Sequence, residues 1–243
     1  MNGIIYIAFK DSFIKEALFS AESLKRFCDI PITLFTDRHI DCEYIDDIKI
    51  IKPEHTRSKV DYISESPYEK TLYLDSDTVI VRNIADMFEV LDRFDVGITH
   101  DYARKRENYC NIPEYKKIPY SFSEVNGGIM AFNNSDRVKK FFNLWKKYFY
   151  KYRDLTSGWD QVSLRISLWE SQVRLHHYPL EYNVRPESIR EKVKNNHKKL
   201  GEGHLKPRIY HMHYDNEVHY GKYNVKNLSE LENIVIKRAE NYR

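Results

Sequence analysis

Two hydrophobic rhythms alternate along the N-terminal part of this chain. Short, mainly apolar runs occur at Ile4 to Phe9, Ile32 to Phe35, Ile48 to Ile51 and within Asp95-Val96-Gly97-Ile98-Thr99. Runs of that length, rich in β-branched residues, predict strands, with Ile4 to Phe9 as a central one. Between them, Ile14, Leu18, Ala21 and Leu24 recur at helical spacing up to Phe27, behind an Asp11-Ser12 pair that offers an N-cap. A second helix is expected around Ile84 to Leu91, and a polar, partly helical stretch between Pro53 and Glu69 carries Arg57 and Lys59. Strands and helices taking turns in this way predict an α/β fold with a mostly parallel central sheet flanked by helices. In such sheets ligands gather beyond the carboxyl ends of the strands.

The pattern loosens after Tyr102. The segment from Tyr102 to Glu124, polar and aromatic with Pro113 and Pro119, reads as a long loop of the kind that often forms a functional lid. Asn126-Gly127-Gly128 then leads into the apolar run Ile129 to Phe132, and glycines there permit a close backbone approach to a ligand. Ser135 to Tyr152 has the spacing of an amphipathic helix, basic on one side and aromatic on the other. Trp159-Asp160-Gln161 opens another, with Val162, Ile166 and Trp169 as its apolar stripe. Arg185 to Arg208 is a charged, mobile segment, Arg208 to His213 a short strand with two imidazoles on one face, and Asn227 to Arg243 a helix with a Ser229/Glu232 capping box.

Bulk properties narrow the function classes. At 243 residues, 42% hydrophobic and 31% charged, one large domain is the default. No run approaches the roughly 18 apolar residues of a spanning helix. The N-terminus has no basic leader, and Cys28, Cys42 and Cys110 lack metal spacing, so a reduced, cytoplasmic protein without a secretory signal is expected. A net charge of +3 gives no support to nucleic-acid binding and suits one anionic small molecule.

Chemistry concentrates in Thr71 to Arg82. Leu72-Tyr73-Leu74 delivers Asp75-Ser76-Asp77, and Val79-Ile80-Val81 leads away. Alternate residues of an extended chain face the same way, so Asp75 and Asp77 place two like charges side by side at a strand end. A divalent cation relieves that repulsion, and hard carboxylate oxygens suit Mn2+ or Mg2+ shared with substrate phosphates. The plainer alternative is that one Asp caps a turn and the other is solvated.

Several pieces now coincide in order: Ala8-Phe9-Lys10-Asp11-Ser12-Phe13, Lys59, Tyr73-Leu74-Asp75-Ser76-Asp77, Asp101, Asn126-Gly127-Gly128, Asp160-Gln161, Tyr182-Asn183 and a late strand ending in His211. Together they resemble the nucleotide-diphospho-sugar transferases of the glycosyltransferase A-type (GT-A) fold, most of all the family 8 group of glycogenin and bacterial galactosyltransferases. The resemblance implies a single Rossmann-like domain over residues 1–243, with a nucleotide-binding half at 1–100 and a sugar- and acceptor-binding half at 101–243 ending in a helix. It implies transfer of a sugar from a nucleotide-diphosphate sugar, by family habit a UDP-sugar, to a carbohydrate or other hydroxyl acceptor. Ala8, Phe9, Asp11 and Phe13 would hold the nucleoside, Ser76 the ribose, and Lys59 the diphosphate or donor sugar. Asp75, Asp77 and His211 would ligate Mn2+ (or Mg2+). Asp101, Asn126, Gly127, Gly128, Asp160 and Gln161 would line the sugar, with Gln161 near the reacting carbon if configuration is retained, or Asp160 as base if it is inverted. The family's closing His-x-x-Gly-x-x-Lys-Pro-Trp signature is altered here to His211-Met-His213 followed by Gly221-Lys222, so His211 and His213 both stand as the third ligand.

Two rivals use the same acids. A haloacid-dehalogenase-type phosphatase would take Asp75 as nucleophile and Asp77 as acid/base, but its downstream acidic pair is missing, since Asp46-Asp47 precedes the motif. A catalytically idle sugar-nucleotide-binding module would keep the site without the chemistry.

Overall fold

The computed structural model describes residues 1–101, 103–185 and 208–211. Its core is a seven-stranded sheet in the order β3-β2-β1-β4-β7-β6-β8. The strands are β1 (Asn2–Ile7), β2 (Ile32–Thr36), β3 (Asp47–Ile50), β4 (Lys70–Leu74), β6 (Val96–His100), β7 (Val125–Asn133) and β8 (Leu175–His177). Only β7 runs against its neighbours; every other pairing is parallel. The remaining strands, β5 (Thr78–Ile80) and β9 (Ile209–His211), form a separate antiparallel pair. The sequence-based expectation of a mostly parallel, Rossmann-like sheet flanked by helices is what the chain adopts.

Why the central strands read as unbroken apolar runs is now plain, because each serves two cores. Ile4 and Tyr6 of β1, Leu72 and Leu74 of β4, and Ile129 and Ala131 of β7 pack on one face with Ile14, Ala17, Ala21 and Leu24 of α1 (Asp11–Lys25). Ile5, Tyr73, Met130 and Phe132 point the other way, onto Phe141, Trp145 and Phe149 of α4 (Asp136–Tyr152) and Leu164 of α5 (Gln161–Ser171). Each fully buried aliphatic contributes about 1.5–3 kcal/mol. Helix α4 starts where Ser135 accepts a hydrogen bond from the Val138 amide at 3.4 Å, and its buried residues recur every third or fourth position.

Four expectations are corrected. The stretch after Tyr102 is no open loop: Pro113 starts a short helix, α3 (Pro113–Lys117), and Ile112, Tyr115 and Ile118 bury against Tyr148, Tyr152, Val162 and Ile166. Proline suits a first helical turn, whose N–H groups lack intrahelical partners. The helix near Ile84 is a 3-10 turn over Ala85–Asp92, entered where the Asn83 side chain accepts from the Ala85 amide at 2.8 Å. Trp169 is not part of a buried stripe; it stays 45% exposed. Helix α5 is instead buried nearly all round, from Val162 to Leu168, because it lies between α4, β7 and α3. Finally, Asp11 does not cap α1: Lys10 holds that position without a side-chain bond, and Asp11 pairs outward with Arg38.

The segment 186–207, His213, Gly221, Lys222 and the expected C-terminal helix lie outside the described residues. Among those described, no helix is long and apolar enough to cross a membrane.

Candidate active site

Strand β4 ends at Leu74 and the chain turns at once through Asp75-Ser76-Asp77 into β5. Thr78 Oγ1 closes the turn by donating to the Asp75 carbonyl at 2.9 Å, which leaves it to accept from Ser20 of α1 at 2.8 Å. Opposite, β9 pairs with β5 so that His211 stands across from Thr78. The imidazole Nε2 lies 3.3 Å from Asp77 Oδ1 and 3.8 Å from Asp75 Oδ2.

The orientation of His211 follows from a chain of obligatory donors. The Gly128 amide can only donate, and it donates to Asn126 Oδ1 at 3.1 Å. That oxygen also faces Asn183 Nδ2 at 3.0 Å, and the same nitrogen reaches Thr99 Oγ1 at 2.7 Å. Asn183 therefore turns its carbonyl oxygen to His211 Nδ1, 3.0 Å away, so Nδ1 carries the proton. In the neutral ring the Nε2 lone pair is left pointing at the two acids.

Three donors around one cation at about 2.1 Å would stand roughly 3–4 Å apart. The ligand atoms of Asp75, Asp77 and His211 lie within 4.8 Å of one another. A β-carbon on Gly128 would fall 2.3 Å from His211 Cε1 and 2.6 Å from Asp75 Oδ2, so this cradle tolerates only glycine. Oxygen, oxygen and imidazole nitrogen are a donor set suited to Mn2+. On these grounds the residues fit a divalent cation.

Strand β7 reaches the site through an irregularity. Its pairing with β6 jumps from Ile98 opposite Met130 to Thr99 opposite Asn126, which frees Gly127 and Gly128 from that ladder. Bulges of this kind re-aim backbone groups beside active sites. The Gly127 carbonyl accepts from Lys59 Nζ at 3.2 Å.

Lys59, from α2 (Lys59–Tyr62), is the electrostatic hub. Its ammonium lies 3.2 Å from Asp75 Oδ1 and 3.5 Å from Asp160 Oδ2. Burial alone would lower its pKa, but Asp160 and then Asp75 outweigh it, and the net shift is upward. For Asp160, burial raises the pKa while Lys59 and Arg57 lower it further, so the carboxyl is held below its usual range. Asp160 sits at the N-cap of α5 yet makes no capping bond, because its carboxylate faces Lys59 and Arg57 instead. A local rule broken at one place is the mark of a functional site. Its neighbour Gln161 donates from Nε2 to buried Glu124 at 3.1 Å.

These groups surround one cavity of about 330 Å³, which runs from Ile7 and Phe9 at the end of β1 and Phe13 in the first turn of α1 to Trp159, Asp160 and Gln161 at the start of α5. Of the residues expected from the sequence, Phe9, Phe13, Lys59, Asp75, Ser76, Asp77, Asn126, Gly127, Gly128, Asp160, Gln161 and His211 line it. Three do not. Ala8 is buried behind it and bonded to the Phe35 carbonyl, Asp11 faces solvent, and Asp101 is buried with its two oxygens toward Arg106 and Arg185, each at 3.5 Å. The sequence reading gave no role to Tyr73, whose hydroxyl donates to Asp75, or to Arg57, Trp159, Asn183 and Arg185. A tyrosine two residues before the acid shares its face of the chain, which was the available signal for Tyr73.

The comparisons agree with this geometry. Residues 70–224, more than half of the chain, match the nucleotide-diphospho-sugar transferase family. A curated relative, glucoside xylosyltransferase 1 of Rattus norvegicus, is 25% identical over 201 residues, which is 73% of this chain but 43% of that protein. The chain therefore spans less than half the length of that relative. Among solved structures, galactosyltransferase LgtC in complex with donor and acceptor sugar analogs aligns over 100% of this chain and 95% of its own, at 14% identity and a TM-score of 0.66. The glycosyltransferase GlyE of Streptococcus pneumoniae TIGR4 aligns over 98% of this chain and 61% of its own, at 16% identity and a TM-score of 0.62. Mouse xyloside xylosyltransferase 1 covers 87% and 97%, at 12% and 0.55. The chain thus belongs to the nucleotide-diphospho-sugar transferase family and has the GT-A fold.

Proposed function

We propose that this protein moves a sugar from a UDP-sugar to a hydroxyl acceptor, with a divalent cation, Mn2+ or Mg2+, held by Asp75, Asp77 and His211, and with retention of configuration. The observation that carries the reading is the convergence of those three side chains at a cavity that also reaches the end of β1. Phe9 and Phe13 offer aromatic faces for the nucleoside at that end. When bound, the cation supplies positive charge against the developing charge of the leaving diphosphate.

In the transfer, the bond from the anomeric carbon to the diphosphate oxygen breaks and its electron pair leaves with that oxygen. A new bond forms from the anomeric carbon to the acceptor oxygen, whose proton passes to the departing phosphate. Lys59 pairs with Asp75 at 3.2 Å and steadies its carboxylate at the turn that follows β4. Its third partner, Asp160, argues against inversion: a carboxylate held low by two cations is a weak general base. Gln161, fixed by Glu124, then lies beside the reacting carbon.

The family assignment removes the phosphatase alternative. The idle-module alternative predicts UDP binding without turnover. A reducing, cytoplasmic compartment belongs to the same reading, supported by Cys28, Cys42 and Cys110 as free thiols. Thermal-shift measurements with UDP, with and without Mn2+, test it first: stabilisation should require the metal and disappear in Asp75→Asn with Asp77→Asn. A double variant that binds Mn2+ and UDP like the parent sinks the metal site. Slow hydrolysis of a UDP-sugar excludes the idle module, and the anomer formed, read by NMR, decides retention.

A further inference from the structure

We propose that Trp159 is the platform for the acceptor, and that the acceptor is a saccharide whose pyranose ring stacks on the indole while its hydroxyl enters the cavity beside Gln161. This rests on the transferase reading above and adds the residue that positions the acceptor.

Trp159 stands at the cavity wall directly before Asp160 and Gln161, and it is 46% exposed. Trp145 is buried in the core and Trp169 is as exposed as Trp159 but does not line the cavity, so it is the combination of exposure and place that singles out Trp159. A large apolar ring left in water at the rim of a polar cavity marks a recognition surface.

The exposure is built, not the result of a loose loop. Ser157 and Gly158 adopt left-handed backbone at φ 52° and 77°, a conformation that is strained for serine. Around them the Gly158 amide donates to the Arg153 carbonyl at 2.7 Å, the Trp159 amide donates to the Thr156 carbonyl at 3.0 Å, and Thr156 Oγ1 donates to the Trp159 carbonyl at 2.9 Å. One residue later, Trp145 Nε1 donates to the Asp160 carbonyl at 3.2 Å and ties the turn to the core. Backbone strain held in place by such a network, beside a cavity, points to function.

The surroundings select the ligand class. The Arg106 guanidinium lies over the indole, 5.8 Å from its centre, and is anchored by Glu124 and Asp101. Arg57 and Gln161 also face the cavity at this end. An indole with a guanidinium over it and further planar donors beside it matches a sugar ring, which is apolar across its C–H face and polar around its rim. The nucleoside has its own aromatic pair in Phe9, just after β1, and Phe13 on α1, so Trp159 is left for the second substrate.

The test compares the full-length parent, Trp159→Ala, Trp159→Phe and Phe13→Ala. UDP affinity is measured calorimetrically with Mn2+, and saccharide binding on an immobilised array of mono- and disaccharides with UDP and Mn2+ present. Trp159→Ala should weaken array binding at least tenfold, with Trp159→Phe recovering most of it, while the UDP constant moves less than about twofold. Phe13→Ala should do the reverse. The platform is overturned if Trp159→Ala holds saccharides like the parent, if its loss falls on UDP instead, or if the parent binds UDP but no saccharide. A parent that binds no UDP overturns the donor site itself, and the platform with it.

Discussion

Gly128→Ala tests the candidate metal site at its tightest point. The added β-carbon would meet His211 Cε1 at 2.3 Å, Asp75 Oδ2 at 2.6 Å and His211 Nε2 at 3.0 Å. Ordinary contact begins about a full ångström further out, and neither neighbour can swing away. His211 is held through Nδ1 by Asn183 and through its backbone amide by the Val184 carbonyl. Asp75 is held by Tyr73 and Lys59, and its own amide donates to the Gly128 carbonyl at 2.7 Å. The methyl group must therefore drive the donors apart. Overpacking of this size costs about 1–3 kcal/mol, a fall in Tm of roughly 2–12 °C for a domain of this length. Misplaced ligands lower metal affinity about 10- to 100-fold. Gly127→Ala is the control: its β-carbon would touch the flexible end of Leu164 at 2.9 Å and stay 3.9 Å or more from Asp160 and Lys59. It should cost some stability but change Mn2+ affinity less than about threefold. Calorimetric Mn2+ titration at fixed UDP decides the matter, and a Gly128→Ala protein that binds Mn2+ as tightly as the parent refutes the reasoning.

Other outcomes follow from the same electrostatics. Lys59→Met leaves Asp75 and Asp160 facing one another with no ammonium between them; stability should fall by about 3 kcal/mol, near the lower end for a broken buried pair, with Mn2+ restoring part of it in a calorimetric melt. Glu124→Gln removes the carboxylate that fixes Gln161 and Arg106, so kcat for transfer should drop about 10- to 100-fold while the donor KM moves less than about threefold; equal effects on both would argue against a positioning role. His177 is held down to about 4 by burial and by the neighbouring His100 and His176, against an ordinary value of 6.5. A neutral group whose folded pKa is lowered stabilises the protein above 6.5 and loses that contribution as pH falls toward 4. Urea unfolding at pH 7 and pH 5 should show the parent losing about 1–2 kcal/mol more than His177→Gln, the shift being discounted for partial exposure. Equal losses would remove His177 as the source.

The sheet was readable in the sequence because its central strands face two cores and so advertise themselves as unbroken apolar runs. The acids were readable for a related reason, since strand alternation puts Asp75 and Asp77 on one side. What escaped notice needs contacts between distant segments. The register jump that frees Gly127 and Gly128 leaves no local trace beyond the glycines themselves. Tyr102 to Glu124 looked like a loop because its three buried apolar residues, Ile112, Tyr115 and Ile118, match no long helical period; they bury only because α4 and α5 supply the other wall. Asp101 aligned in order with the sugar-lining residues, yet it reaches the cavity only at second hand, through Arg185.

His211 arrives on β9, which among the described residues pairs only with β5 and touches Val184 through a single bridge. Two of the three converging donors follow the carboxyl end of β4, the middle strand of the large sheet, and the third rides on a three-residue strand outside that sheet. Anything gripped by all three would rivet that small ribbon to the main body. Loading the site and holding β9 in place are then one equilibrium, so a ligand at ten times its dissociation constant adds about 1.4 kcal/mol to the hold on that strand.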